Sequence, residues 1–382
     1  MSTEPTPPAP LRCLTVVQLL PALESGGVER STIEIADALV RAGHRAIVVS
    51  AGGRLLPQLT ATGAQHIALD IGRKSLLTLR HVGALRRLLA GHQADIVHAR
   101  SRLPAWLGWR ALRGLPAAGR PRFVTTVHGL NSPSRYSAIM LRGERVVCVS
   151  DTVREYALRH YPQTDPAIVR VIPRGIDPAQ FPRAPRIDPA ARARIAAEHP
   201  QLAGAGPLLL LPGRGTRLKG HADAIELLAA LRGAGLDARL WLVGARQDGR
   251  AAYIAELEAR AASLGVAEAV ACTAPTAEIA RAYAASDLVL QLSRKPEAFG
   301  RTVLEALAVG RPVLGWAHGG VGELLARWQP RGGVAPFDQG GLVRVARALL
   351  AAPPPAVTMP DTLRAMQAAT LAVYAELDAT PR

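Results

Sequence analysis

Residues 13–51 read CLTVVQLLPALESGGVERSTIEIADALVRAGHRAIVVSA. An apolar run (13–20) meets a glycine pair, then a stretch with helical spacing (28–43) that stops at Gly43, then a second apolar run (45–51). A strand that is apolar on both faces must be covered on both, so an amphipathic helix between two such strands predicts a parallel crossover. The alternation continues with strands ADIVHA (94–99), RFVTTVH (122–128) and RVVCVS (145–150). After VRVIPRGID (169–177) comes DPAQFPRAPRIDP, the predicted linker. The series then restarts: strand PLLLLPG (207–213), a helix over 219–234, strand RLWLVG (239–244), a helix over 249–264, strand DLVLQLS (287–293), a helix from about 300, strand RPVLGW (311–316). Two such series predict an α/β chain of two doubly wound, Rossmann-like parallel-sheet domains. The boundaries expected are a disordered tail over 1–10, a first domain over 11–177, a second over 178–357, and a helix over 358–382 that packs back towards the first.

At 382 residues, 49% of them apolar, the chain is large enough for two cores, and no stretch reaches the ~18 uninterrupted apolar residues of a spanning helix. The opening MSTEPTPPAP lacks the basic and apolar regions of a signal peptide. Cys13, Cys148 and Cys272 each fall in a predicted strand without CxxC spacing, which suggests buried thiols in a reducing cytosol. The net charge of +16 is uneven, with +12 carried by residues 1–175. Such a field suits an anionic partner: nucleic acid, an anionic membrane face or a phosphorylated glycan. Aromatic residues at 4% argue against stacking platforms for nucleic acid, so none is expected as a partner.

In doubly wound sheets ligands bind beyond the carboxyl ends of the strands. Gly26-Gly27 follows the first strand and opens a helix, where free N–H groups and the helix dipole face outwards. His128 and His98 end two adjacent strands. GRGTRLK (213–219) departs from a phosphate-binding P-loop, with Leu218 before the lysine and Gly220 after it, yet keeps Arg214 and Lys219 at a strand end and a helix start. Cations there oppose the helix dipole, which makes sense if they attract a phosphate. In RKPEAFGRTVLEALAVGRP (294–312), Arg301, Thr302 and Glu305 share one helix face while Val303, Leu304 and Leu307 form the other. Glu305 is therefore expected on the polar face, where it need not be buried in the core. Arg294, Lys295 and Arg301 stand at a helix start where acids are preferred, and Glu297 among them could accept hydrogen bonds from hydroxyls. Each feature also has a plain reading: a tight turn, solvated basic residues, an Arg301–Glu305 surface pair, polar strand-end histidines.

Together these stretches carry a resemblance. EAFGRTVLEALAVGRPVLGWAHGGVGELL (297–325), LPGRGTRLKGH (211–221), EIARAYAASDLVLQLS (278–293), VSDTVRE (149–155), VIPRGID (171–177) and ESGGVER (24–30) occur in order and at normal spacing. From Leu14 to about Leu350 the chain resembles the GT-B retaining glycosyltransferases of family 4. The resemblance implies two domains facing across a cleft, the first for the acceptor and the second for a nucleotide sugar. It implies that Glu297 contacts hydroxyls of the transferred sugar and Glu305 the ribose. Arg214 and Lys219 would bind the diphosphate and stabilise the leaving group, and the backbone from Phe299 through Gly300, Arg301, Thr302 and Val303 would complete that site. His128 would lie beside the anomeric centre, and Gly26 and Gly27 near the diphosphate and acceptor. Arg174 in PRGID departs from the family's usual Asn. With no D-x-D motif, no metal and no separate cofactor are expected beyond the nucleotide-diphosphate sugar, taken as a UDP-sugar.

HGLNSPSRYSAIMLRGERVVCVS (128–150) and GRGTRLKGH look most like bacterial lipopolysaccharide-core transferases, which implies a glycan or lipid-linked acceptor. A predicted amphipathic helix over 75–90, with Arg73, Lys74, Arg86 and Arg87, suggests a cytoplasmic protein held peripherally on the anionic inner face of the membrane. Two rivals are a same-fold sugar-nucleotide epimerase, which needs no acceptor, and a non-catalytic nucleotide-sugar-binding scaffold.

Overall fold

The computed structural model describes residues 12–24, 26–184, 186–351, 359–360 and 362–380. The tail expected over 1–10 and most of the segment leading into the final helix lie outside them. The chain forms two compact units. The first takes the described residues up to Val149, Val153–Pro173 and the chain from Ala365 onward; the second takes Ser150–Thr152 and the described residues of Arg174–Arg364.

The first unit is a seven-stranded parallel sheet of β1 (Thr15–Leu19), β2 (Arg45–Ser50), β3 (Gln65–Ala68), β4 (Ile96–Ala99), β5 (Arg122–Val127), β6 (Arg145–Cys148) and β7 (Val169–Val171), in the order β3-β2-β1-β4-β5-β6-β7. Every residue of β1 is buried, as a central strand covered on both faces demands. The helix Gly27–Arg41 turns Ile35, Ala36 and Leu39 inward, the i, i+1, i+4 spacing of one apolar face. From Ala365 onward the helix Thr362–Ala379 completes this unit. Its Tyr374 hydroxyl lies 2.6 Å from His98 Nδ1, Gln367 donates to the Glu34 carbonyl at 2.7 Å, and Glu376 accepts from Arg145 and Arg170. His98 is thus a buried core residue, its Nε2 2.6 Å from Thr126 Oγ1, and not part of a polar rim.

Two local expectations fail here. The helix over 75–90 is instead a 3-10 turn (Leu76–Arg80), opened by Ser75 Oγ accepting from the Leu77 N–H, followed by a helix over His81–Gly91. Leu85 and Leu89 anchor that helix, whereas Leu77 is left 70% exposed. Cys13 precedes β1 and is exposed, because the sheet begins only at Thr15; Cys148 is buried in β6.

The second unit is a six-stranded parallel sheet of β8 (Leu208–Leu210), β9 (Arg239–Val243), β10 (Val270–Thr273), β11 (Leu288–Gln291), β12 (Val313–Trp316) and β13 (Gly333–Val334), in the order β10-β9-β8-β11-β12-β13. The expected linker is packed into it, because Phe181 supplies an apolar anchor. That ring is buried 6.3 Å from Tyr283, the Ala184 N–H donates to the Val309 carbonyl at 2.9 Å, and Arg311 donates to the Ala184 and Arg186 carbonyls. Ser150–Thr152 is held in the same unit: Ser150 Oγ donates to the Ala298 carbonyl at 2.6 Å and Glu323 accepts from the Asp151 and Thr152 N–H groups. Within each sheet the strand order reverses once, between β1 and β4 and between β8 and β11. Those reversals open crevices outside the carboxyl ends of the strands.

Candidate functional site

In the second unit β8 lies beside β11, with Leu209 opposite Leu288, so the loops leaving these two strands run together at the switch point. The Arg294 N–H donates to the Leu218 carbonyl at 2.8 Å and stitches the loops to each other. Across that seam Lys219 Nζ meets Glu297 Oε1 at 2.5 Å, with both side chains about a quarter exposed. Ser293 Oγ donates to the same carboxylate oxygen. Two residues 78 apart in sequence thus form one charged pair at the mouth of the crevice.

The scaffold around the pair is glycine-built. Gly220 has φ +75°, and a Cβ there would collide with the Leu292 carbonyl, so the chain turns sharply after Lys219. The helix expected from 219 therefore starts at His221, and Lys219 ends a 3-10 turn (Arg217–Lys219) before it. Gly320 donates its N–H to the Glu297 carbonyl at 2.8 Å, and a Cβ on Gly319 (φ +59°) would lie 2.6 Å from that oxygen. His318 Nε2 stands 2.8 Å from the Ser293 carbonyl. Ser293, His318 and the glycine pair therefore position Glu297 from behind.

Arg214 is exposed at the end of the β8 loop, and its guanidinium makes no hydrogen bond or ion pair among the described residues. The helix Arg301–Val309 starts after Gly300 in the left-handed region (φ +105°). The Val303 N–H is satisfied by the Gly300 carbonyl at 2.9 Å, while the Thr302 N–H has no acceptor among the described residues. Phe299 is buried, and its backbone fills the space a side chain on Gly320 would need.

Glu305 overturns its expectation. It is 8% exposed, not on an open polar face. Tyr283 donates to its Oε2 at 2.9 Å and Arg301 Nε lies 3.3 Å from its Oε1. The helix is too closely packed for the polar face to stay wet, and these two partners meet the cost of burying the carboxylate. The cations expected around Glu297 are likewise redistributed. Arg301 serves Glu305, and Arg294 reaches Asp223 Oδ1 at 2.6 Å with its guanidinium 4.9 Å from the Phe337 ring centroid. Lys219, from another strand's loop, is the cation on Glu297.

Tyr283, Ser293 and His318 carried no assigned role in the sequence reading. The signal available was their place inside the stretches 278–293 and 297–325. His221, next to Lys219, is fully buried at the first turn of its helix, and neither ring nitrogen has a well-aligned hydrogen bond. Burial first, and the Lys219 charge after it, lower its pKa to about 4; the Thr216 and Gly213 carbonyls oppose this only in part.

In the first unit Gly26 caps the helix Gly27–Arg41 with no side-chain bond, and Gly27 is exposed. His128, half-buried just past β5, lines a cavity of 390 Å³ at the carboxyl ends of β1, β4 and β5.

Residues 25–180 match Glycosyltransferase Family 4 and residues 196–361 match Glycosyl transferases group 1. A D-inositol 3-phosphate glycosyltransferase of Segniliparus rotundus is 28% identical over 274 residues, 65% of this chain and 59% of that protein. The chain thus spans well under two thirds of that relative's length. A glycosyltransferase from Rickettsia africae superposes with a TM-score of 0.84 at 26% identity, covering 97% of this chain and 100% of the other. Anabaena HepE, solved in complex with UDP and glucose, superposes with a TM-score of 0.72 at 21% identity over 96% of this chain and 98% of its own, a likeness of fold.

Proposed function

From a chain whose residues 25–180 match Glycosyltransferase Family 4 and whose residues 196–361 match Glycosyl transferases group 1, we infer a retaining, metal-independent hexosyltransferase that takes a nucleotide-diphosphate sugar. The observation that carries this reading is the Lys219–Glu297 pair at the switch point of the second sheet, with Arg214 exposed on the loop that leads to Lys219. In the reaction the sugar–phosphate bond breaks and its electron pair leaves with the nucleoside diphosphate. The acceptor hydroxyl forms the new bond on the same face, and its proton passes to a leaving phosphate oxygen. Lys219, Arg214 and the amino end of the helix Arg301–Val309 meet the charge that develops on the diphosphate. Glu297 is released to sugar hydroxyls as the phosphate engages Lys219. Glu305, held by Tyr283 and Arg301, keeps lone pairs for the ribose. His128 is assigned to the sugar by the resemblance, and Gly26 and Gly27 to the diphosphate and acceptor.

The donor is taken as a UDP-sugar, which the UDP complex of Anabaena HepE supports. A panel of UDP-, GDP- and ADP-sugars in a thermal unfolding assay tests this. At a hundred times its Kd the true donor stabilises by about 2.7 kcal/mol, and a flat response to every nucleotide sugar refutes a donor site.

The acceptor is read as a phosphorylated or lipid-linked envelope glycan, the lipopolysaccharide core by the phrase at 128–150. The inositol phosphate in the name of the Segniliparus relative supports a phosphorylated acceptor. Among the described residues no helix is long and apolar enough to cross a membrane. Leu77 and Leu79, 70% and 42% exposed among Arg73, Lys74 and Arg80, suit insertion into an anionic surface. Co-sedimentation with anionic vesicles is expected to fall at least tenfold in Leu77→Asp/Leu79→Asp; equal recovery on neutral and anionic vesicles sinks the membrane reading.

A further inference from the structure

The 390 Å³ cavity of the first unit gathers three cationic side chains from the segments after β3 and β4 and is lined by no carboxylate. Arg100, directly after β4, is 3% exposed. Its Nε and Nη2 donate to Gln18 Oε1 at 3.0 and 2.6 Å and its Nη1 reaches Ser31 Oγ at 3.4 Å, so its hydrogen-bond partners are neutral. The Glu34 carboxylate also attracts its charge. Arg102 opens the helix Arg102–Arg113, whose cap residue Ser101 makes no side-chain cap bond. Its Nη1 donates to Ser137 Oγ at 3.2 Å and its guanidinium lies 5.3 Å from the Tyr136 ring centroid. Lys74 is exposed on the loop after β3 and forms no ion pair among the described residues.

A cation at a helix amino end opposes the dipole, and gathering three cations around one cavity is unfavourable while it holds only water. A dianion reverses each of these terms. We propose that this cavity binds a phosphate monoester carried by the acceptor, with Arg102 and Lys74 as its direct ligands and Arg100 as a fixed charge behind them. Guanidinium forks the phosphate oxygens, ammonium adds a point charge, and the open amides of the helix start face the same anion. The inference rests on the transferase reading, which it deepens by naming the acceptor's charged group and where that group is held.

The test follows the phosphorus resonance of glucose 6-phosphate during titration with the full chain, since line broadening reads even millimolar affinity. Arg102→Gln with Lys74→Gln is expected to weaken binding at least tenfold, with the unfolding temperature unchanged. If the double variant binds as tightly as the parent, the anion sits elsewhere and the proposal fails. Phosphate binding that depends on Arg102 and Lys74, in a protein no nucleotide sugar stabilises, would keep this site and refute the transferase reading instead.

Discussion

Lys219→Ala is expected to lower kcat/KM for sugar transfer roughly 10²–10³-fold, the loss typical of removing one preorganised donor from a developing anion. Lys219 is one of three lysines in a chain with 46 basic residues. It is held at the mouth of the crevice by the left-handed Gly220 and by the stitched β8 and β11 loops. In the free protein its partner is Glu297, so the ammonium is already desolvated on one side and oriented. On the proposed reading, an incoming diphosphate would replace one carboxylate with a stronger anion and leave Glu297 to the sugar. A pair about a quarter exposed contributes only ~0–1 kcal/mol to stability. The variant should therefore unfold within a few degrees of the parent while losing turnover. Steady-state kinetics beside thermal unfolding separates the two, and a fully active Lys219→Ala would end the charge-stabilisation account.

The second large effect is one of pH. His221 is neutral in the folded chain, with its pKa lowered to about 4 from an ordinary 6.5. Between those values the unfolded chain binds a proton that the folded chain refuses. The stability His221 permits is therefore fully present above pH 6.5 and is lost as pH falls towards 4, by about 3 kcal/mol at most. His44 and His66 shift the same way through partial burial in the first unit, so the comparison must be internal. His221→Leu, which keeps an apolar side chain in the pocket, should flatten the dependence of the unfolding free energy between pH 6.5 and 4.5. Parallel curves for parent and variant would show that the ring does not titrate differentially.

Most of the fold could be read from the chain because its central strands are buried on both faces. Runs such as TVVQL in β1 and LVLQ in β11 carry that burial in their composition. The edge strands could not be read so. QHIA in β3 is half-exposed, and β13 has two residues, so neither leaves an apolar signature. The linker misread has the opposite cause: its prolines and charges conceal Phe181, a single buried anchor. At the site, the residue types were legible and their pairing was not. Arg294, Lys295 and Arg301 are near Glu297 in sequence, but strand order brings Lys219 to it from the neighbouring loop. Glu305 was misplaced because helical periodicity sorts faces without knowing which face the rest of the unit covers. Tyr283, from the preceding helix, is what makes its burial tolerable.

The helix that closes the first unit bears on the order in which the chain can be assembled. The second unit is nearly contiguous, from Arg174 to Arg364, whereas the first lacks Tyr374, Gln367 and Glu376 until the segment from Ala365 has emerged from the ribosome. Domains usually fold in the order of their synthesis. Here that order is expected to invert: the unit made first would wait, with β4 and β6 short of the helix that bonds to them, while the unit made second can finish. A chain stopped before Ala365 would carry a whole second unit and an unfinished first one.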